Sequence, residues 1–112
     1  MEGNIMIKVY QIQLTNEEVD AINRDEIFPK QQAFFDRQWD SRFKPEYFEF
    51  YTHVANVATD DMEEAFRAMN LWDEGAEVQK ITKWCSSMSV GDILELEDGT
   101  LHRVSSWGFT AL

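Results

Sequence analysis

Hydrophobic and polar side chains alternate in several short segments of the chain, and a period of two residues predicts β-strands. The first of these segments is residues 5–14. The clearest is residues 47–58, where both faces of the alternation hold apolar side chains. A strand with two apolar faces is expected to lie inside its sheet. Residues 78–84 show a weaker strand pattern.

Three segments between the predicted strands show the start signals or the spacing of helices. Thr15 stands three residues before Glu18, which is the spacing of a capping box. Pro29 is expected to open a second helix, because its missing N–H has no intrahelical partner in a first turn. Residues 59–72 predict a third helix, since apolar side chains recur there at intervals of three or four residues. These side chains are Met62, Ala65, Phe66, Met69 and Trp72.

The last part of the chain predicts a hairpin. Residues 93–96 and 101–109 have strand patterns, and Asp98-Gly99 between them is a strong turn signal. The whole order is then β-α-α-β-α-β-β-β, which is typical of the α+β class with a largely antiparallel sheet of about five strands and about three helices. The length of 112 residues suits one small domain over residues 5–112, after a loose N-terminus at residues 1–4.

Aromatic side chains make up 13% of the chain, which indicates a packed core. Phe35, Trp39 and Phe43 are spaced at i, i+4 and i+8, so they are expected on one stripe of the second helix, which Pro45 ends. Core packing is the first interpretation of this stripe. An aromatic edge that binds a partner is the alternative, because tryptophan and tyrosine are favoured at interfaces.

Charge narrows the choice of partners. The chain has 21 acidic residues against ten basic ones, a net charge of −11, and its basic residues are scattered. Such a chain repels nucleic acid and anionic membranes, so we expect neither as a direct partner.

A single cysteine, Cys85, allows no disulfide within the chain, which favours a reducing cytoplasm. No apolar run is long enough to span a membrane.

The acidic residues are most concentrated over the third predicted helix and its continuation. They are Asp60, Asp61, Glu63, Glu64, Asp73, Glu74 and Glu77, against one basic residue, Arg67. Two interpretations are open. A solvated helix face with a good N-terminal cap explains the first four, with Asp60 and Glu63 as a capping box and Thr59 as the alternative cap. The functional interpretation is an acidic docking surface for a basic partner, with imitation of DNA as one form of it.

Catalytic signals are weak. His53 and His102 fall on predicted strands, and either could act as a base or metal ligand, or pair with Cys85 as a nucleophile. No metal-ligand spacing and no glycine-rich phosphate loop occurs in the sequence. We therefore predict no catalytic residue, no metal and no cofactor. A small enzyme that uses His53, His102 or Cys85 stays an alternative.

The segment from Ser86 to Phe109 contains the letters SMSVGDILELEDG and HRVSSWGF. This pattern resembles the C-terminal signature of small uncharacterised proteins of bacteriophages, plasmids and related mobile elements. The matching positions are Ser87, Met88, Ser89, Val90, Gly91, Asp92, Gly99, Val104, Gly108 and Phe109. The resemblance implies an accessory protein that acts inside a bacterium, and it implies no chemistry.

The leading hypothesis is thus a phage or mobile-element protein, not an enzyme, that binds and modulates a host protein through acidic and aromatic surface. Its partner would have a basic surface, as nucleic-acid-binding proteins do. The alternatives are the small enzyme above and a homo-oligomeric structural or assembly component.

Overall fold

A computed structural model describes residues 5–71, 76–83 and 85–112. Within these ranges six strands form one antiparallel sheet in the order β3-β2-β1-β4-β5-β6. The strands are β1 Ile7–Gln11, β2 Thr52–Val57, β3 Val78–Lys80, β4 Ile93–Glu95, β5 Leu101–Ser105 and β6 Gly108–Ala111. The helices are α1 Asn16–Asn23, α2 Pro29–Asp36, a 3₁₀ helix at Pro45–Phe50, and α3 Met62–Leu71.

The predicted α+β class with an antiparallel sheet in a single domain is confirmed. The sheet has one strand more than the five expected, because the predicted return strand 101–109 is wrong as a single strand. The chain turns at Ser106 and Trp107 and comes back as β6. Gly108 begins this sixth strand. The predicted loose N-terminus, residues 1–4, lies outside the described residues.

The strand predicted over residues 47–58 is only partly correct. β2 begins at Thr52, and the five residues before it belong to the 3₁₀ helix or its end. Pro45 begins this helix, since its fixed φ suits a first turn. Nearly every side chain from 47 to 51 is aromatic, so alternation could not distinguish a strand from a tight helix there.

The predicted single aromatic stripe is also wrong. α2 ends at Asp36, so Phe35, Trp39 and Phe43 do not share a helix. Phe43 packs edge-on against the buried Tyr47, with ring centroids 6.1 Å apart. Phe35 and Trp39 are instead exposed to solvent. Part of the stripe therefore belongs to the core, and part belongs to the surface.

The sheet separates two hydrophobic clusters. Helix α3 covers one face, which we call the α3 face, through Ala65, Ala68 and Met69. The α3 face includes the buried side chains Ile7, Val9, Ala55, Val57, Leu94 and Val104. α2 and the 3₁₀ helix build the second cluster around Ile12, Ala33 and Tyr47. Two further contacts place this cluster beside the opposite face: Tyr10 meets Phe48, and Arg103 meets Phe43, each at 5.0 Å.

None of the helices in the described ranges combines the length and the apolar character that crossing a membrane requires.

Candidate protein-binding surface

The two histidines lie on opposite faces of the sheet. His53 pairs with Tyr10 across β2 and β1, and its ring lies 5.2 Å from the Tyr10 ring. His102 pairs with Leu94, a residue of the α3 face. Because side chains at paired positions share a face, the sheet itself stands between the two imidazoles. The structure does not bring them together as one site.

Each histidine has a local environment of its own. His53 Nε2 lies 2.7 Å from Asn56 Oδ1, a contact within β2. His102 Nδ1 is buried and has no hydrogen-bond partner.

Cys85 and the possible metal ligands give no further support for a catalytic site. Burial raises the pKa of the Cys85 thiol, which leaves less of the reactive thiolate at neutral pH. Across the residues described, no three His, Cys, Asp or Glu side chains are grouped so that they could hold a metal ion.

The seven acidic residues named above do not form one continuous described surface. Asp73 and Glu74 lie outside the described residues. Asp60 is exposed just before α3. Glu63 lines a cleft of about 310 Å³ beside β6, whereas Glu77 lines another cleft, of about 430 Å³, near β3. β3 and β6 are the two opposite edges of the sheet, so the Glu63 and Glu77 carboxylates do not belong to one surface patch.

Two of the acidic residues and Thr59 start helix α3. Asp61 Oδ1 accepts the backbone N–H of Glu63 at 2.9 Å and that of Glu64 at 3.4 Å, so Asp61 is the N-cap. Thr59 Oγ1 accepts the Asp61 N–H and donates to Glu64 Oε1 at 2.6 Å. The expected capping box of Asp60 with Glu63 is therefore wrong by one residue. Asp60 and Glu63 remain available to solvent or to a partner.

The most exposed large apolar side chain described is Trp107, which is 95% exposed. It occupies the two-residue turn between β5 and β6 with Ser106. Ser105 Oγ donates to Gly108 O at 3.0 Å across the base of this turn. The tryptophan thus stands at the tip of a tight hairpin, held away from both hydrophobic clusters.

A second exposed tryptophan is linked to this turn. The Ser106 N–H donates to both carboxylate oxygens of Asp40 at 3.4 Å, and Trp39 immediately precedes Asp40 in the chain. Trp39 is 52% exposed, and the Arg42 guanidinium lies 5.9 Å from its ring centroid. The Asp40–Ser106 contact therefore joins two chain segments, each with an exposed indole.

Three of the positions that carry the resemblance have structural roles: Ser89, Gly91 and Asp92. Asp92 is buried, and its Oδ2 accepts from Gln11 Nε2 at 2.9 Å and from the Ser89 N–H at 3.1 Å. Gln11 also donates to Ser86 O at 3.0 Å and accepts from the Ser86 N–H. Tyr51 donates its hydroxyl proton to Gly91 O. This network fixes residues 86–92 against β1.

Sequence reasoning missed the turn at Ser106 and Trp107, and with it the exposed tryptophan. The available signal was the Ser105-Ser106-Trp107-Gly108 run, in which two polar residues and a glycine surround the indole.

Comparison with protein-family models, with curated proteins and with solved structures gives no match to this chain. The resemblance to proteins of mobile elements stays a prediction.

Proposed function

We propose that this protein has a binding function and is not an enzyme. It docks a partner protein with a basic surface through its exposed aromatic and acidic side chains. The observation that carries this proposal is Trp107, whose indole is almost fully in water at the tip of a tight turn. Burial of a tryptophan of 150–250 Å² in an interface supplies roughly 4–6 kcal/mol before the losses of association.

Charge supports the choice of partner. Acidic residues outnumber basic ones by 21 to ten, so the field of the whole chain attracts a basic surface and repels an acidic one. The resemblance at Ser86–Phe109 extends the proposal to a phage or mobile-element accessory protein in a bacterial cytoplasm, where it modulates a host protein. A catalytic role for the histidines and Cys85 has less support, because the sheet separates His53 from His102.

The test is affinity capture from nuclease-treated bacterial lysate along a series of salt concentrations. We expect wild type to retain a specific protein at low salt and to release it as salt rises. Trp107→Ala should lose that protein. A double variant, Asp60→Asn and Glu63→Gln, should release it at lower salt than wild type does.

The matched control changes two exposed acidic residues elsewhere: Glu17→Gln and Asp20→Asn. It has the same net charge as the double variant, so any difference between the two variants depends on position. Equal retention by wild type and Trp107→Ala, or no retained protein at any salt concentration, would contradict the proposed function.

A further inference from the structure

We infer that the open edge of β6 is the docking site and that its occupant is an extended segment of a partner protein. The partner segment pairs with β6 as an additional strand of the sheet. Two of its side chains, one apolar and one a lysine or arginine, lie on the α3 face. The inference rests on the proposed function and specifies how the partner is held.

The backbone of β6 presents unpaired groups along its outer side. Val104 uses its own backbone groups toward β4: its N–H donates to Asp92 O, and its C=O accepts from the Gly91 N–H. Phe109 is the β6 partner of Val104. Because the N–H and C=O of Val104 are both directed toward β4, Val104 and Phe109 form a pair without mutual hydrogen bonds. The Phe109 N–H and C=O therefore point away from β5, toward the open edge.

The same alternation applies two residues later. The Leu112 N–H donates to Leu101 O at 2.9 Å, which marks that pair as a hydrogen-bonded one. Ala111, paired with His102, then belongs to the next pair without mutual bonds. Phe109 and Ala111 together offer two N–H and two C=O groups, and no described strand lies beyond β6. An extended segment of four or five residues satisfies all four groups, as in strand addition.

β6 lacks the charged side chains and the proline that often protect an edge strand. From Val104 to Leu112 there is no charged side chain and no proline, in a chain whose charged residues make up 28% of the total. The other edge strand, β3, is three residues long and contains Lys80. Short strands and edge lysines are the usual means of preventing strand addition. The contrast points to β6 as the edge at which pairing is permitted.

A cleft lies beside this edge on the α3 face. It measures about 310 Å³, and Phe66, Val104 and Phe109 line it together with Glu63. A strand added to β6 would run 4.7–4.9 Å beyond it, with every second side chain directed to the α3 face. One such side chain, if apolar, fills the cleft. A lysine or arginine two positions away on the same face approaches Glu63.

Charge distinguishes this occupant from a second copy of the chain. Each copy has a net charge of −11, and β6 pairing in a two-fold dimer would bring Glu63 of each copy toward the shared edge. Like charges at that edge oppose the dimer, whereas a basic segment complements it. The exposed Trp107, in the turn that precedes β6, adds apolar surface for the same segment.

The test uses a capped heptapeptide in which lysine, valine and phenylalanine supply a basic and apolar α3-facing side. Two isomers have N-methyl groups on alternate amides, so that one isomer loses the N–H groups directed at β6 and the other loses those directed at solvent. We expect the first isomer to bind at least about tenfold more weakly than the second. Each of its methyl groups removes a hydrogen bond to β6 and also keeps the peptide backbone from approaching that strand. Hydrogen exchange of the Phe109 and Ala111 amides should slow when the unmethylated peptide binds.

A variant gives a second line of evidence. Ala111→Pro removes an outward N–H and none of the bonds to β5, which edge strands tolerate. It should weaken peptide binding about tenfold or more, while Thr110→Ser, whose backbone faces β5, should not. Equal binding of the two isomers, no binding to wild type, or slowed exchange at β3 instead would overturn the inference.

The outcomes separate this inference from the proposed function. If Ala111→Pro captures the lysate protein as well as wild type does, while Trp107→Ala does not, the binding function stands and the β6 edge is wrong as its site. Light scattering that shows a concentration-dependent dimer, abolished by Ala111→Pro, would assign the edge to a second copy and overturn the basic partner segment.

Discussion

Arg103 Nη1 lies 2.6 Å from Asp40 Oδ1, and this ion pair ties the loop after α2 to strand β5. The Arg103 side chain is 4% exposed, whereas that of Asp40 is 41% exposed. The same carboxylate accepts the Ser106 N–H in the β5–β6 turn. One carboxylate thus holds a buried cation and the turn beside Trp107, so a change at Asp40 affects both.

The ion pair should respond unequally to removal of its two partners. Asp40→Ala leaves the buried Arg103 charge without its counterion, while Arg103→Met removes the charge and leaves a carboxylate that water can reach. We expect Asp40→Ala to lower the free energy of unfolding more than Arg103→Met does, as measured by urea denaturation. The reverse order would contradict this account of the pair.

Stability should depend on pH through Asp92. Burial raises the pKa of Asp92 to about 7, against the opposing effect of the hydrogen bonds from Gln11 and Ser89. The folded state therefore binds a proton more tightly than the unfolded chain, whose carboxyl titrates near pH 4. The contribution of Asp92 to stability is fully present below pH 4 and is lost as the pH rises through about 7.

Asp92→Asn removes this titration and keeps an oxygen that can accept both hydrogen bonds. Relative to wild type, its free energy of unfolding should rise by about 1–3 kcal/mol more at pH 8 than at pH 4. Urea denaturation of both proteins at the two pH values measures the difference. The general effect of net charge cancels when the free energy of unfolding of wild type is subtracted from that of Asp92→Asn at each pH. A difference between the two proteins that is the same at pH 4 and pH 8 would contradict the prediction.

Gly91 should tolerate no side chain. Its φ is +99°, and a Cβ built there would lie 2.5 Å from Arg37 O, a backbone atom that cannot move aside cheaply. Gly99 has a similar φ of +85° but open space around it, so Gly99→Ala is a matched control for backbone strain alone. We expect Gly91→Ala to destabilise by about 1–3 kcal/mol more than Gly99→Ala does. Equal thermal unfolding of the two variants would be inconsistent with the close approach.

The cap of α3 should distinguish two neighbouring aspartates. Asp61→Ala removes the side chain that accepts the N–H groups of Glu63 and Glu64, and should lower the free energy of unfolding by about 1 kcal/mol. Asp60→Ala makes the same chemical change one residue earlier, with no cap to lose. Its effect should stay within about 0.5 kcal/mol, as for ordinary surface positions. A larger effect at Asp60 would restore the capping box expected from the sequence.

Burial, and not size, should decide the effect of two apolar substitutions. Met69 is fully buried between α3 and the sheet, so Met69→Ala should destabilise by about 2–5 kcal/mol. Trp107 is larger but almost wholly exposed, so Trp107→Ala should change stability by less than about 0.5 kcal/mol. Chemical denaturation of both variants checks this contrast. A strongly destabilised Trp107→Ala would mean that the indole packs within the fold.

Local signals predicted the elements whose cause is local. The capping box of Thr15 with Glu18 is present in α1, and α2 begins at Pro29 as expected. The Asp98-Gly99 turn joins β4 to β5. Each of these depends on hydrogen bonds or φ values within a few residues, so the letters alone contain the information.

Predictions that needed distant contacts were less accurate. The apolar side chains of residues 47–51 fit a period of two residues no better than a period of three, so the pattern does not distinguish a strand from a 3₁₀ helix. Only the packing of Tyr47 against Phe43 and Asp36 shows why a 3₁₀ helix forms there. The candidate acidic surface is likewise divided in space, since Glu63 and Glu77 lie at different edges of the sheet. Neither relationship is visible in the spacing of the residues.

The class of the fold, the starts of α1 and α2, the Asp98-Gly99 turn and the strong acidic charge could all be predicted from the amino-acid sequence alone. Those properties follow from short-range hydrogen bonding, periodicity and composition. Three features became visible only in the folded chain: Trp107 is exposed to solvent, the two histidines lie on opposite faces of the sheet, and β6 is an open edge beside an apolar cleft. Exposure and proximity are set by strand order and by which element covers which face, and these depend on contacts between residues far apart in the chain.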